Sequence, residues 1–497
     1  MDDVKNEAQK AASEAKFIKM TTEPVERLVA QLAVPTIISM LVTSFYNLAD
    51  TFFVRQLESD SMIAAVGIVF PLMAIIQSFG FFCGHGSGNY ISRALGRKDY
   101  SDAEKMAAAG FGYAILFGLA IMIIGTAFRG PFVTALGAKT EATAAASADY
   151  MQWILLAAPF MTGAFVLNNQ LRMQGNAFFA MIGLTSGSIL NVVLDPVFIF
   201  KKGDPLFGGA VTMPFGIGLG VGGAALATAL SQIVSFVLLL LGIHFSDNIK
   251  INLKNFSFKP YYFKGIIQGG LPSLVRQGLA SVATMALNHA VGIYIDGDEM
   301  IDAVQAAMTG VSKVMNIASS ALIGFGQGFQ PVCGFNYGSK RFDRVRRAFW
   351  FCLRLSVLVL CVLSAAGFVF ADKITAAVAG SSRLAQTIAA FTMRAQLAVF
   401  PIVSWVVLVN MMLQNIGMTA RATIVAMTRQ GLTFIPCVLG LPLLISLFGG
   451  EPVLGLELAQ TCADVLAFFI SLPIGLSVLS EMKRAEPPED VAKSDGL

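Results

Sequence analysis

Apolar stretches of about twenty residues or more, the length that crosses roughly 30 Å of hydrocarbon, recur twelve times along the chain. They run at 33–55, 62–84, 107–128, 150–171, 177–200 and 221–245, then at 266–295, 303–328, 349–371, 389–413, 422–447 and 454–479. Each is read as a membrane-crossing helix, with short polar segments between them. The first 27 residues differ. They mix Lys5, Lys10, Lys16 and Lys19 with acids and hold no apolar core of a cleaved signal, so a charged tail with a short interfacial helix is predicted there.

Composition agrees with this pattern. A chain of 497 residues that is 55% hydrophobic and 13% charged, with a mean hydropathy of +0.69, carries too much apolar surface for a soluble fold, and an all-α polytopic membrane protein is expected. Lysines and arginines then set the orientation. With the amino terminus inside, 23 of the 35 fall in inside segments, seven in outside loops and five within spans. Both termini are therefore expected on the cytoplasmic side. The six cysteines form no regular spacing and the three histidines are far apart, so neither a disulfide framework nor a zinc or haem site is implied.

The chain also repeats itself. Arg93-Ala-Leu-Gly-Arg-Lys-Asp-Tyr100 after the second span resembles Phe335-Asn-Tyr-Gly-Ser-Lys-Arg-Phe342 after the eighth, at an offset of 242 that Pro159 and Pro401, Asn168 and Asn410, and Gly175 and Gly417 all keep. Two pseudo-symmetric six-helix lobes of parallel topology follow: 33–245 and 266–480. A cytoplasmic tail (1–32), a cytoplasmic linker (246–265) and a second tail (481–497) complete the expected organisation. Parallel repeats are a common build for secondary transporters, although a duplicated channel or receptor would look similar.

Polar residues inside the spans carry the candidate chemistry. Asn191 and Asp195 lie four apart and so share a helix face, with Pro196 freeing a backbone carbonyl one turn back. An intramembrane aspartate is costly and marks a functional site by default. Counting depth along the first, fifth and sixth spans puts Asp50, Asn191, Asp195 and Thr228 in one outer layer. Two carboxylates, a carboxamide and a hydroxyl are hard oxygen ligands, suited to a proton or an alkali cation such as sodium and poorly suited to a transition metal. Such a pair should titrate as a unit, which is chemistry for cation exchange. Pro35, inside the first span, is a candidate hinge. Gly84-His-Gly-Ser-Gly88 lacks the order of a nucleophile elbow and reads as close helix packing.

Taken together, Phe45 to Thr51, Asn168 to Asn176, Asn191 to Pro196, the Gly-x-x-Gly-Ala-Ala-x-Ala-Thr pattern ending at Thr228 and the twofold repeat resemble the multidrug and toxic compound extrusion (MATE) family. Its MepA-type branch is nearest, with DinF-type proteins close by. The resemblance implies a V-shaped pair of six-helix lobes that exports organic, mostly cationic amphipathic compounds against proton or sodium entry. It implies the cation site at Asp50, Asn191, Asp195 and Thr228 and the hinge at Pro35. No cofactor is implied beyond the coupling ion, nor a nucleic-acid partner; a monomer in the lipid bilayer is expected.

One departure stands out. Some branches carry an acid in the seventh span, but nothing between Ile266 and Ile295 is acidic, and Arg276-Gln277 stands there instead. Asn47, Asn168, Arg276, Gln277 and Lys313 are candidate substrate-cavity residues. The carboxyl half is expected to bury Arg276, Lys313, Arg394 and Arg429 against Glu457 and Asp464, as structural pairs, as a cavity wall, or as side chains reaching for the span ends. Rival functions are a lipid-linked oligosaccharide flippase, a channel or a signalling protein. An intramembrane enzyme fits least, for want of a nucleophile with a base, a metal cluster or a phosphate loop.

Overall fold

The computed structural model describes residues 2–57, 59–206, 211–245, 249, 251, 255–380 and 382–486, with the side chains of 2–10, 47, 60, 206 and 211 outside that description. Most of the expected linker up to 254 and the tail beyond 486 therefore lie outside it. The described chain is almost wholly helical and divides into two compact units. One comprises Met1–Lys16 with Val34–Gly270, the other Phe17–Ala33 with Leu271–Leu497.

The first unit is built from α1 (Asp2–Thr22, through Lys16), α2 (Val25–Arg55, from Val34), α3 (Asp60–Gly96), α4 (Tyr100–Ala127), α5 (Arg129–Ala135), α6 (Glu141–Met173), α7 (Ala177–Ile199), the hairpin β1 (Pro205–Leu206) and β2 (Val211–Thr212), and α8 (Gly220–Phe245). The second holds the end of α1, the start of α2, most of α9 (Pro260–Tyr294), and α10 (Asp298–Gly338), α11 (Phe342–Val369), α12 (Ala371–Val378) and α13 (Arg383–Ile416). Its last long elements are α14 (Thr419–Met427), a π-helical turn (Thr428–Leu432), α15 (Phe434–Leu447) and α16 (Pro452–Arg484).

Hydrocarbon offers no partner for a backbone amide, and that forces each apolar run to pair its own peptide groups as helix. Among the described residues ten helical segments are long and apolar enough to cross a bilayer, counting Thr419–Leu447 as one. α9 and α10, of 35 and 41 residues, fill the other two expected positions but are diluted by Arg276, Gln277, Asn288, His289, Gln305, Lys313 and Asn316. Helices outrun their apolar stretches because hydropathy marks only the lipid-crossing part. α3 continues twelve residues past the expected end at 84, and α6 begins nine before 150.

The 242-residue repeat is written into the hydrogen bonds. α4 and α11 begin and end at that offset. The N-cap hydroxyls Thr140 and Ser382 accept from Thr143 N–H and Ala385 N–H. Lys98 and Lys340 share a left-handed backbone at φ 61° and 60°, and Gly175 and Gly417 at 81° and 86°. The Asn168 side chain donates to the Ala180 carbonyl at 2.9 Å, and Asn410 to that of Ala422 at 2.8 Å. Each amide ties the end of one long helix to the first turn of the next. Each unit also holds part of the amino-terminal segment. Lys16 Nζ donates to Gly175 O and Asn176 Oδ1 in the first, while Asn336, Arg341 and Arg344 donate to the carbonyls of Met20, Thr21 and Glu23 in the second.

Candidate functional site

The local geometry starts from a stripe on α7. Gly183, Gly187, Asn191 and Asp195 recur every four residues and so line one face. The two glycines let α8 come close. Ser235 Oγ donates to Gly183 O at 2.8 Å, and a methyl group on Gly187 would stand 2.8 Å from Ser235 Cβ and 2.9 Å from Ser231 O. One turn further along the clamped pair, Asn191 Nδ2 reaches Thr228 Oγ1 and Asp195 Oδ1, both at 3.2 Å. Small residues thus set the spacing at which the polar ones meet.

All three of these side chains are buried, Asp195 completely. Asp50 on α2 is close enough for its charge to act on Asp195. Tyr46 on α2 and Tyr150 on α6 each feel both carboxylates. Neither tyrosine was found from the sequence. Tyr46 was within reach of it, standing four residues before Asp50 on the same helix face, whereas nothing in the linear chain pairs Tyr150 with this layer.

What distinguishes the layer is a surplus of acceptors. Asp50 Oδ1, Asn191 Oδ1 and Asp195 Oδ2 are buried and meet no hydrogen-bond donor among the described residues. Neither carboxylate forms an ion pair with a described lysine or arginine. A buried oxygen without a donor costs about 1–3 kcal/mol, and a buried carboxylate more. A proton or a hard cation is the species that satisfies such a set. The four residues expected to form one layer are brought together, in the first unit.

The other candidates sit elsewhere. Pro35 lies within α2, two residues after the chain crosses between the units at Ala33 and Val34. The last crossing, at Gly270 and Leu271, is followed at once by Pro272 inside α9, a position the sequence reading passed over. Asn168 is engaged in the helix tie to Ala180. The side chain of Asn47 lies outside the described residues. Arg276 and Gln277 on α9 and Lys313 on α10 are partly exposed residues of the second unit.

The expected pairing in the carboxyl half needs correcting. Arg429, in the π-helical turn, does pair with Asp464, through Nε to Oδ1 at 2.8 Å and Nη2 to Oδ2 at 3.5 Å, and Gln460 Nε2 adds a third donor at 2.9 Å. Arg394 instead reaches Asp372 at 2.7 Å, a largely exposed acid at the start of α12. Its guanidinium travels to the helix end, as a long side chain on an apolar stem can. Glu457 is buried on the Asp464 face of α16, and its charged neighbour is another acid, Glu451. Arg172, counted from the sequence among the loop cations, is a fully buried residue of α6 whose Nη2 donates to Asn169 Oδ1.

A family model described as MatE matches residues 35–197 and 272–439. The multidrug export protein MepA of Staphylococcus aureus strain MRSA252 is 28% identical over 322 residues, 64% of this chain and 66% of that protein, just under two thirds of its length. MepA of Staphylococcus haemolyticus is 26% identical over 452 residues, 88% of this chain and 91% of its own. Among solved structures, an outward-facing multidrug resistance MATE family transporter of the MOP superfamily superposes with a TM-score of 0.83 at 23% identity, over 94% of this chain and 98% of that one. A MOP superfamily transporter from Pyrococcus furiosus does so at 0.82 and 23%, with the same coverage. At those identities the structures speak for the fold.

Proposed function

The chain belongs to the MatE family, and from that membership we propose that it is a secondary multidrug exporter that expels organic, mostly cationic amphipathic compounds in exchange for protons or sodium. The observation that carries this reading is the set of three buried, donorless oxygens on Asp50, Asn191 and Asp195. A membrane protein retains such a set at a cost of several kcal/mol, and occupancy by a mobile cation removes that cost. The names of the MepA relatives support the substrate class.

In the mechanism we propose, Asp50 and Asp195 hold the coupling cation, with Asn191 and Thr228 fixing the geometry of Asp195. Entry of the cation neutralises the layer and weakens its hold on a positively charged substrate; departure restores the charge. Alternating access needs a bend as well as a charge switch. In this reading Pro35 supplies it, supported by its missing backbone donor and its position directly after the chain crossing. Both termini are then cytoplasmic, and a single chain in the inner membrane holds the whole coupling layer. The acidic layer weighs against a lipid-linked oligosaccharide flippase, whose anionic cargo it would repel.

Export of a fluorescent cationic dye into inverted membrane vesicles tests this, with a pH gradient and a sodium gradient imposed separately. One of the two should drive uptake, and Asp50→Asn should abolish it at equal expression. Uptake indifferent to both gradients would refute coupled exchange.

A further inference from the structure

The second unit carries a different polar cluster from the first, one of opposite sign. Arg429 and Asp464 form a two-point pair to which Gln460 contributes, and Asp464 thereby receives three hydrogen bonds. Arg276 stands beside this pair on α9. Its charged neighbour is Arg429, and it makes no hydrogen bond or ion pair with any described residue. The two elements touch directly: Leu279, one turn after Arg276, packs on Gly431 so closely that a methyl group there would stand 2.7 Å from its Cδ1. Glu457, the other acid on that face of α16, has Glu451 as its charged neighbour. The cluster of Arg276, Arg429 and Asp464 thus holds two guanidinium groups and one carboxylate.

The depth makes that excess informative. Arg276 is ten residues into the span expected from 266, about 15 Å of helix rise, near the middle of a hydrocarbon layer of about 30 Å. An unmatched guanidinium at that depth calls for an anion. It is partly exposed and so reachable, and its planar fork suits a carboxylate, phosphate or sulfonate oxygen pair better than an ammonium would. The π-helical turn that carries Arg429 adds to this, since such turns interrupt a regular helix and recur at functional sites.

We propose that Arg276, set beside the Arg429 and Asp464 pair, is an anion-binding subsite that receives the carboxylate of zwitterionic or anionic amphipathic substrates. The inference rests on the exporter reading and extends its substrate class beyond cations.

A matched pair of xanthylium dyes separates these roles, one with a free carboxylate and the other its ethyl ester. Affinities are measured by fluorescence polarisation in purified full-length protein at constant pH and salt. Arg276→Gln should weaken the carboxylate dye by about tenfold or more while changing the ester by less than twofold. Arg276→Lys, which keeps charge but not the fork, should recover part of the loss. Unchanged ester binding certifies the fold of each variant. Equal loss of both dyes, or no loss of the carboxylate dye, would overturn the subsite while leaving ester export into vesicles, and with it the exporter reading, intact. Failure of the wild type to bind or export either dye would overturn both.

Discussion

Removing Arg429 should cost the second unit far more than removing an ordinary surface charge. Asp464 has a side chain 4% exposed, and Arg429 supplies two of its three donors; in Arg429→Met only Gln460 remains beside a buried carboxylate. Breaking a buried pair in this way costs about 3–5 kcal/mol. Arg429 is itself 23% exposed, so some water reaches the pair and the lower end, about 3 kcal/mol, is expected. For a unit of this size that is a fall of about 6–12 °C in melting temperature. Asp464→Leu should be comparably severe, since it leaves Arg429 facing Arg276 with no acid. The double variant Arg429→Met/Asp464→Leu removes both charges and should cost about 3–4 kcal/mol, little more than either single change, giving a coupling of about 2–3 kcal/mol. Thermal unfolding of the four proteins in one detergent provides the cycle. Small, additive losses would refute the view that this is a buried structural pair.

Other outcomes follow from single contacts. Gly187→Ala should force α7 and α8 apart, break the 3.2 Å link from Asn191 to Thr228 and cut dye export by more than about tenfold; Gly440→Ala, where an added methyl meets nothing within 4 Å, is the control. Asn168→Ala and Asn410→Ala should each lower stability by about 1–2 kcal/mol and add in the double variant, because the two ties share no partner. Pro35→Ala should reduce turnover more than substrate affinity, as read from export rates beside equilibrium binding, if α2 bends there.

Much of the layer in the first unit could be read before any coordinates, because helical periodicity carries it. Asn191 and Asp195 share a face by spacing alone, and Thr228 and Asp50 fall at the same depth by counting from the span ends. The same periodicity extends back to Gly183 and Gly187, so the close approach to α8 was also present in the sequence. Depth counting put Arg394 inside a span, where α13 holds it, and of the readings left open its contact with Asp372 supports a long side chain reaching for a span end. Depth counting failed for Arg172, since the loop it was assigned to is the buried last turn of α6. Tyr150, and which of the two expected acids Arg429 meets, depend on how the helices pack together, and linear spacing holds no record of that. The π-helical turn leaves no hydrophobic signature because it shifts the register of Thr419–Leu447 without altering its apolarity.

Coupling at the Asp50 and Asp195 layer is tested most directly by the affinity of purified protein for a cationic substrate between about pH 5 and pH 9, with and without sodium. If the substrate and the coupling cation share this layer, each must weaken the other equally. One extra charge about 6 Å from a carboxylate, at an effective dielectric of about 20, is worth a few kcal/mol, so an effect on the order of 10–100-fold is expected. The sign is fixed by charge. As pH falls the carboxylates take up protons, the layer loses its negative charge and the substrate binds less tightly; sodium should act in the same direction if sodium is the coupling ion. Asp50→Asn should flatten the dependence, and Arg276→Gln should leave it standing. A wild-type affinity that ignores both ions would contradict competition at this layer, even for a protein that exports drugs.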